Sequence, residues 1–179
     1  MERKKQILLV SEIIEVDIEV TTLTPGTSLQ DDRKIVESFL IKSPGSCLIG
    51  VGKGGYLLFN VLLDSELAKQ ASKVVILSAP FSIKTWEGRK KLSDEEAAYY
   101  QGELADSFYT NLPPILLLYG KSDHIVPHDQ GRLALAGLRR SIEPGAKRPN
   151  VQLIILPDQG HDLLKDKETV KNILEWLSL

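Results

Sequence analysis

The sequence predicts a single α/β domain built on a mostly parallel sheet with helices on both faces. Four short runs, Cys47–Val51, Val74–Leu77, Ile115–Tyr119 and Val151–Leu156, are almost wholly apolar. Strands covered by helices on each side have this composition, because neither face of a parallel sheet meets water. Segments with a helical apolar period separate the runs, and such alternation implies a layered α/β architecture. At 179 residues the chain is long enough for one complete domain with one core and short of two.

Taken in order, the apolar run Ile7–Val10 comes first. Ile14 to Val20 then alternates strictly, with Ile14, Val16, Ile18 and Val20 on one face and Glu15, Asp17 and Glu19 on the other. A half-exposed edge strand has this pattern. Only a few residues separate the two pieces, whereas a parallel crossover needs about a dozen or more. A hairpin or one long bent strand is therefore expected. Ser28 to Leu40 reads as a helix, with Ser28 as N-cap, Asp31 as a first-turn acid, and Ile35, Val36, Phe39 and Leu40 on one side.

Gly55 to Leu67 is apolar nearly all round, as expected of a helix buried against a sheet. Gln130–Ile142 and Lys167–Leu177 are amphipathic, the latter presenting Val170, Ile173, Leu174 and Leu177. Phe81 to Leu112 is a long connection holding Trp86, Tyr99, Tyr100, Phe108 and Tyr109. Within it, Ser93 and Glu96 form a capping-box pattern that predicts at least one helix. The segment is a candidate cap.

Composition narrows the partners. With 42% hydrophobic and 26% charged residues the chain has the balance of a folded soluble protein and not of a disordered one. A net charge of −2 supplies no electrostatic basis for binding nucleic acid or an anionic membrane. The basic clusters Arg89-Lys90-Lys91 and Arg139-Arg140 read as solvated helix faces. Cys47, the only cysteine, has no disulfide partner in the chain and reads as a small buried hydrophobe. The opening "MERKKQILLVSEII" places basic residues before an apolar run, but that run spans only Ile7–Val10, too short for a secretory core or a membrane span. A cytoplasmic location is the expectation.

The chemistry centres on "CLIGVGKGGYLLFN", Cys47 to Asn60, where Gly50, Gly52, Gly54 and Gly55 fall between a predicted strand and a predicted helix. Two templates fit. Gly50, Gly52 and Gly55 satisfy the G-x-G-x-x-G of a dinucleotide cradle. That template also wants an acid at the end of the next strand, and "VVILSAP" ends instead in Ser78, Ala79 and Pro80. A P-loop fails as well, since Gly54 follows Lys53 where Ser or Thr is required. The second template is the G-x-S-x-G nucleophile elbow, aligned as Gly50-Val51-Gly52-Lys53-Gly54 with Gly52 in the serine position.

The C-terminal half bears on the choice. "LPPILLLYGKSDHIVPHDQ" sets Asp123 three residues after Gly120 at the end of a buried strand, and "VQLIILPDQGHDLL" sets Gly160-His161 after the last one. Alone, Asp123 can be a helix cap and His161 an ordinary loop histidine. Together, after two buried strands and in the order elbow, acid, histidine, they favour a site.

On these motifs the chain, from about Pro44 to Leu179, resembles the α/β-hydrolase superfamily and more narrowly its compact esterase and prolyl-oligopeptidase-like members. The resemblance implies Asp123 as triad acid, His161 as triad histidine, Gly52 at the nucleophile position and the Lys53 backbone N–H as an oxyanion donor. Gly50, Gly54 and Gly55 are then candidate binding residues of the same loop. Two departures from the family pattern stand out. The nucleophile is missing, and "ILLVSEII" lacks the glycine of the His-Gly type loop that completes an oxyanion hole. "TPGTS", Thr24 to Ser28, is similar to the turn after the family's next strand.

Substitute nucleophiles are poor. Cys47 is at the wrong end of its strand, and Ser78, at the end of the neighbouring one, reads as a buried hydrogen-bonded serine. His124 and His128 have a metal-like spacing, but Pro127 intervenes and no third ligand is evident. Neither a metal nor a cofactor is expected.

The leading expectation is a pseudo-hydrolase, or a deliberately inactivated enzyme, that keeps a pocket for a small ester or acyl ligand beneath Phe81–Leu112. Three alternatives stand beside it. His161 can activate water directly, the fold can serve as a binding scaffold with Trp86 and the tyrosines as a protein contact surface, or the glycines can hold a nucleotide.

Overall fold

The computed structural model describes residues 7–10, 20–140 and 149–178. Six strands form one sheet: β1 (Ile7–Val10), β2 (Val20–Thr22), β3 (Ser46–Val51), β4 (Ala71–Leu77), β5 (Ile115–Gly120) and β6 (Val151–Leu156). Their order is β2-β1-β3-β4-β5-β6, and each neighbouring pair runs parallel. All four strands expected from the apolar runs are present.

The N-terminal hairpin is not. Ile7 pairs with Val20 in parallel register, so β1 and β2 are neither a hairpin nor one bent strand. Sequence reasoning measured the connection from Val10 to Ile14, whereas the paired strand begins at Val20, which leaves more chain for the return. Ile14 to Glu19 lie outside the described residues. β2 occupies a sheet edge, but of the alternating stretch expected there it contains only Val20.

Alternate residues of the central strands face two different helical layers. Leu48, Val74, Ile76, Ile115, Leu117 and Tyr119 pack into the larger core, with Val36 and Leu40 of α1 (Leu29–Lys42) and Tyr56 to Val61 of α2 (Lys53–Val61). Cys47, Ile49, Val75, Leu77, Leu116 and Leu118 face the other way, onto Ile173 and Leu177 of α6 (Lys167–Ser178). β6 is the second edge, and there Gln152 and Ile154 are exposed, so this run is apolar without being covered on both faces.

Helix boundaries follow local chemistry. Ser28 caps α1 by accepting from the Asp31 backbone N–H, which satisfies one of the first-turn donors. Of the apolar residues expected on one side of α1, Val36 and Leu40 are buried, but Ile35 remains half exposed. The predicted helix Gly55–Leu67 is two. α2 stops at Val61, and the Asp64 carboxylate accepts from Glu66 N at 2.9 Å and Leu67 N at 3.2 Å to start α3 (Ser65–Ala68). Between β4 and β5 the capping box at Ser93 and Glu96 opens α4 (Asp94–Tyr99), as expected. α5 (Asp129–Arg140) precedes β6, and the predicted continuation to Ile142 lies outside the described residues. No helix among the described residues is long and apolar enough to cross a membrane.

Two glycines let α2 lie directly against the sheet. A Cβ on Gly50 would stand 2.8 Å from Gly54 O, Gly55 Cα and Leu58 Cδ1, and one on Gly55 would stand 2.5 Å from Ala79 Cβ and 2.9 Å from Ile76 Cγ2. Buried carbons cannot approach so closely without displacing the helix. Gly55→Ala is therefore expected to destabilise the fold by about 1–3 kcal/mol in chemical denaturation. Gly160→Ala, where an added Cβ meets nothing within 4 Å among the described residues, is expected to stay within about 0.5 kcal/mol of the parent.

Candidate active site

Three chain segments meet at the C-terminal ends of β3, β5 and β6. The first is the turn into α2. Gly52 precedes the helix with φ 52° and ψ −112°, its N–H donating to Leu77 O at 2.9 Å and its carbonyl accepting from Tyr56 N at 3.1 Å. Residues with side chains occupy this region only under strain of about 1–3 kcal/mol, which is the backbone condition of a nucleophile elbow. Lys53 follows as the first residue of α2, where a backbone N–H has no acceptor within the helix.

The second segment leaves β5. Asp123 is buried, and its Oδ1 accepts from Ile125 N at 2.8 Å and Val126 N at 2.9 Å. The third leaves β6 and carries His161 into a short 3₁₀ turn over Leu163–Lys165. His161 Nδ1 lies 2.8 Å from Asp123 Oδ2, with the imidazole 28% exposed and the carboxylate fully covered.

Burial alone would raise the Asp123 pKa. The bond to His161 and the two backbone N–H donors outweigh it and hold the carboxyl below its ordinary value. An ionised carboxylate only accepts, so Nδ1 carries a proton and donates it, and in the neutral ring the lone pair is then on Nε2. That lone pair faces the elbow. A Cβ built on Gly52 would lie 3.9 Å from His161 Nε2, its one neighbour within 4 Å among the described residues other than those adjacent in the chain. A hydroxyl one bond beyond such a Cβ falls within hydrogen-bond reach of the base.

Asp123, His161 and Gly52 are thus brought together as the sequence order implied. Gly50, Gly54 and Gly55 are buried behind the turn, where Gly50 and Gly55 are taken up by strand–helix packing. Two glycines of the phosphate-type motif therefore serve the contact between α2 and the sheet. The Lys53 side chain is pinned: Nζ donates to Gly26 O and stands 4.0 Å from the Tyr99 ring centroid. Ser78 is fully buried as expected, but its hydroxyl has no hydrogen-bond partner among the described residues, and its backbone is left-handed at φ 44°. Cys47 is buried in its strand. Among the described residues no group of three or more His, Cys, Asp or Glu side chains could hold a metal ion.

The segment 81–112 touches the loop of the acid and helix α2. Trp86 Nε1 donates to Ile125 O at 2.7 Å, beside the acid, and Tyr56 OH donates to Gln101 O at 2.6 Å. Tyr99 OH donates to Asp32 Oδ2 at 2.9 Å, which also accepts Gly26 N at 2.8 Å. Trp86, Tyr99 and Tyr109 are at most 4% exposed, so they form core and not the contact surface that a scaffold reading required. Burial pushes the Tyr56 and Tyr100 phenols up to about 12, which keeps them neutral near pH 7.

Two positioning residues escaped sequence reasoning. A Cβ on Gly120 would run into the carbonyl oxygens of Gln159 and Gly160, so the acid loop and the histidine loop touch through backbone. Gln130 is buried in α5, and its Oε1 accepts from Phe81 N and Ser82 N, both at 2.8 Å, anchoring the chain where it leaves β4. The usable signal was a polar side chain on the buried face of an amphipathic helix.

No protein-family model matches the chain, and no curated protein is similar to it in sequence. Solved structures are similar to it in fold. A bromoperoxidase from Bacillus anthracis superposes with a TM-score of 0.71 at 15% identity, over 99% of this chain and 93% of the other. Mouse alpha/beta hydrolase domain-containing protein 10 gives 0.71 at 13% identity, over 98% and 89%. An esterase from Exiguobacterium antarcticum gives 0.65 at 11% identity, over 98% and 92%. The fold is that of the α/β-hydrolases.

Asp123→Asn should cost about 2 kcal/mol at pH 7, because it removes the ionised acceptor of three hydrogen bonds. A depressed carboxyl pKa contributes stability that is complete above the unfolded value and is lost as pH falls through the folded one. The difference between parent and variant in urea denaturation is thus expected to shrink below pH 3.8, the ordinary carboxyl value.

Proposed function

We propose that this chain is an α/β-hydrolase-fold protein of serine esterase or peptidase ancestry that binds a small ester- or acyl-type ligand and has lost acyl-enzyme catalysis. The observation that carries the reading is the position of His161 Nε2, 3.9 Å from where a Gly52 side chain would begin, with Nδ1 held by a buried carboxylate. That arrangement is the acid–base half of a triad, waiting on a nucleophile. Glycine supplies none, and in a comparable serine hydrolase loss of the nucleophile costs roughly a millionfold in kcat.

Each residue has a role in this reading. Asp123 orients the imidazole and keeps its proton on Nδ1. The Lys53 backbone N–H is the oxyanion donor. The segment 81–112 is the cap over the ligand, with the bond from Trp86 to Ile125 tying it to the acid loop.

Gly52→Ser tests the proposal. The backbone already holds the angles that an elbow serine needs, so the variant is expected to fold and to hydrolyse p-nitrophenyl acetate or butyrate with an initial burst. Its kcat/KM should exceed that of the unmodified chain by on the order of a thousandfold or more. Adding His161→Ala to Gly52→Ser should remove the gain. A folded Gly52→Ser protein with no His161-dependent gain would refute the loss of a nucleophile at this position.

A further inference from the structure

We infer that the Gly52 position is itself a working seat for water, which makes the chain a slow single-displacement ester hydrolase with His161 as general base. The inference rests on the proposed ester- or acyl-binding site and adds to it a reaction that needs no side chain at position 52.

The geometry argues for it in three steps. Among the described residues, its two chain neighbours aside, a Cβ on Gly52 would meet only His161 Nε2 within 4 Å, at 3.9 Å, so those residues leave room in front of the lone pair. An oxygen standing in that room is within hydrogen-bond reach of Nε2 and within approach of whatever carbonyl an elbow serine would have attacked. The base is also preorganised. Asp123 Oδ2 holds Nδ1 at 2.8 Å, and its Oδ1 is fixed by two backbone N–H groups at 2.8 and 2.9 Å, so the ring cannot turn without breaking a buried contact. A fixed imidazole with one proton donated inward is a base whose free nitrogen has a defined target.

The reaction balances without any co-reactant. Water oxygen bonds to the acyl carbon while one of its protons passes to His161 Nε2, and the carbonyl π pair moves onto oxygen as an oxyanion facing the Lys53 N–H. Collapse re-forms the carbonyl and breaks the bond to the leaving oxygen, which takes the proton back from Nε2. Ester and water become carboxylic acid and alcohol, and no bond to the protein is made.

The absence of a covalent intermediate separates this route from that of a restored triad. The probes are p-nitrophenyl acetate, butyrate and octanoate at high protein concentration, with four proteins compared: the unmodified chain, Gly52→Ala, His161→Ala and Gly52→Ser. Gly52→Ala fills the seat with a methyl group, and His161→Ala removes the base. Circular dichroism and melting temperature establish that each variant is folded, and His161→Ala carries the comparison should Gly52→Ala not fold.

The unmodified chain is expected to hydrolyse at least one ester at least tenfold faster than either alanine variant. Its progress curve should be linear from the start, slower in D2O, and free of acylated protein by intact mass. Gly52→Ser should instead show a burst and an acyl adduct. Equal rates for the unmodified chain and His161→Ala, or an acyl adduct on the unmodified chain, would overturn the water seat while leaving the lost-nucleophile reading to stand on the Gly52→Ser burst. His161-dependent hydrolysis by the unmodified chain with an inert, folded Gly52→Ser would uphold the seat and refute the lost-nucleophile reading. Inactivity of all four folded proteins would refute both.

Discussion

The constraint on which the site depends is the close approach of two loops beyond the ends of β5 and β6. The strands stay in parallel register as far as Gly120 and Leu156, and Lys121 N still donates to Leu156 O at 2.8 Å. One step further Ser122 N donates to Gln159 O at 3.0 Å, and Gly120 leaves no space for a side chain against the Gln159 and Gly160 carbonyls. Parallel register thus continues into the loops as backbone contact. The consequence is chemical, since a carboxylate three residues past one strand and an imidazole five residues past the next arrive 2.8 Å apart. A wider separation of the loops would leave Asp123 buried without its imidazole partner, which is costly for a charged group.

The elbow obeys a different constraint. Its backbone angles place the residue after β3 so that whatever projects from it points at His161, and those angles are cheap for glycine alone. A serine there is held under strain by the packing of α2 on the sheet. Gly52 holds the same angles without that strain. Ser78, one residue past the pair Val51–Leu77 just as Gly52 is, has the same left-handed sign of φ without being glycine. On this rim, then, a left-handed backbone is held by glycine at position 52 and by a residue with a side chain at position 78.

How much of this was legible in the sequence depends on the range of the interaction that decides each feature. Strands β3 to β6 and the caps at Ser28 and Ser93 could be read because burial and capping are written in adjacent residues. The order elbow, Asp123, His161 could be read because parallel topology carries strand ends to one rim. The parallel pairing of β1 with β2 was misread, since the length of a crossover depends on where the second strand begins, and alternation ahead of Val20 obscured that point. The break between α2 and α3 was misread because one carboxylate, Asp64, outweighed an apolar period that continues through it. The burial of Trp86 and the tyrosines, and the capture of Lys53 by Gly26 and Tyr99, come from contacts across dozens of residues that no local pattern encodes.

The two members of the acid–base pair do not carry equal weight as signs of function. Asp123 has a structural reason to exist, since its Oδ1 satisfies the Ile125 and Val126 N–H groups that open the loop before α5. A helix-capping carboxylate would do the same with no histidine nearby. His161 has no comparable reason. Its side chain is 28% exposed, its hydrogen bond among the described residues goes to Asp123, and Nε2 is the atom nearest the absent side chain of Gly52. A half-exposed imidazole held by a buried carboxylate and aimed at a bare glycine contributes little to packing. Its geometry, more than that of Asp123, is what sets this rim apart from an ordinary capped loop.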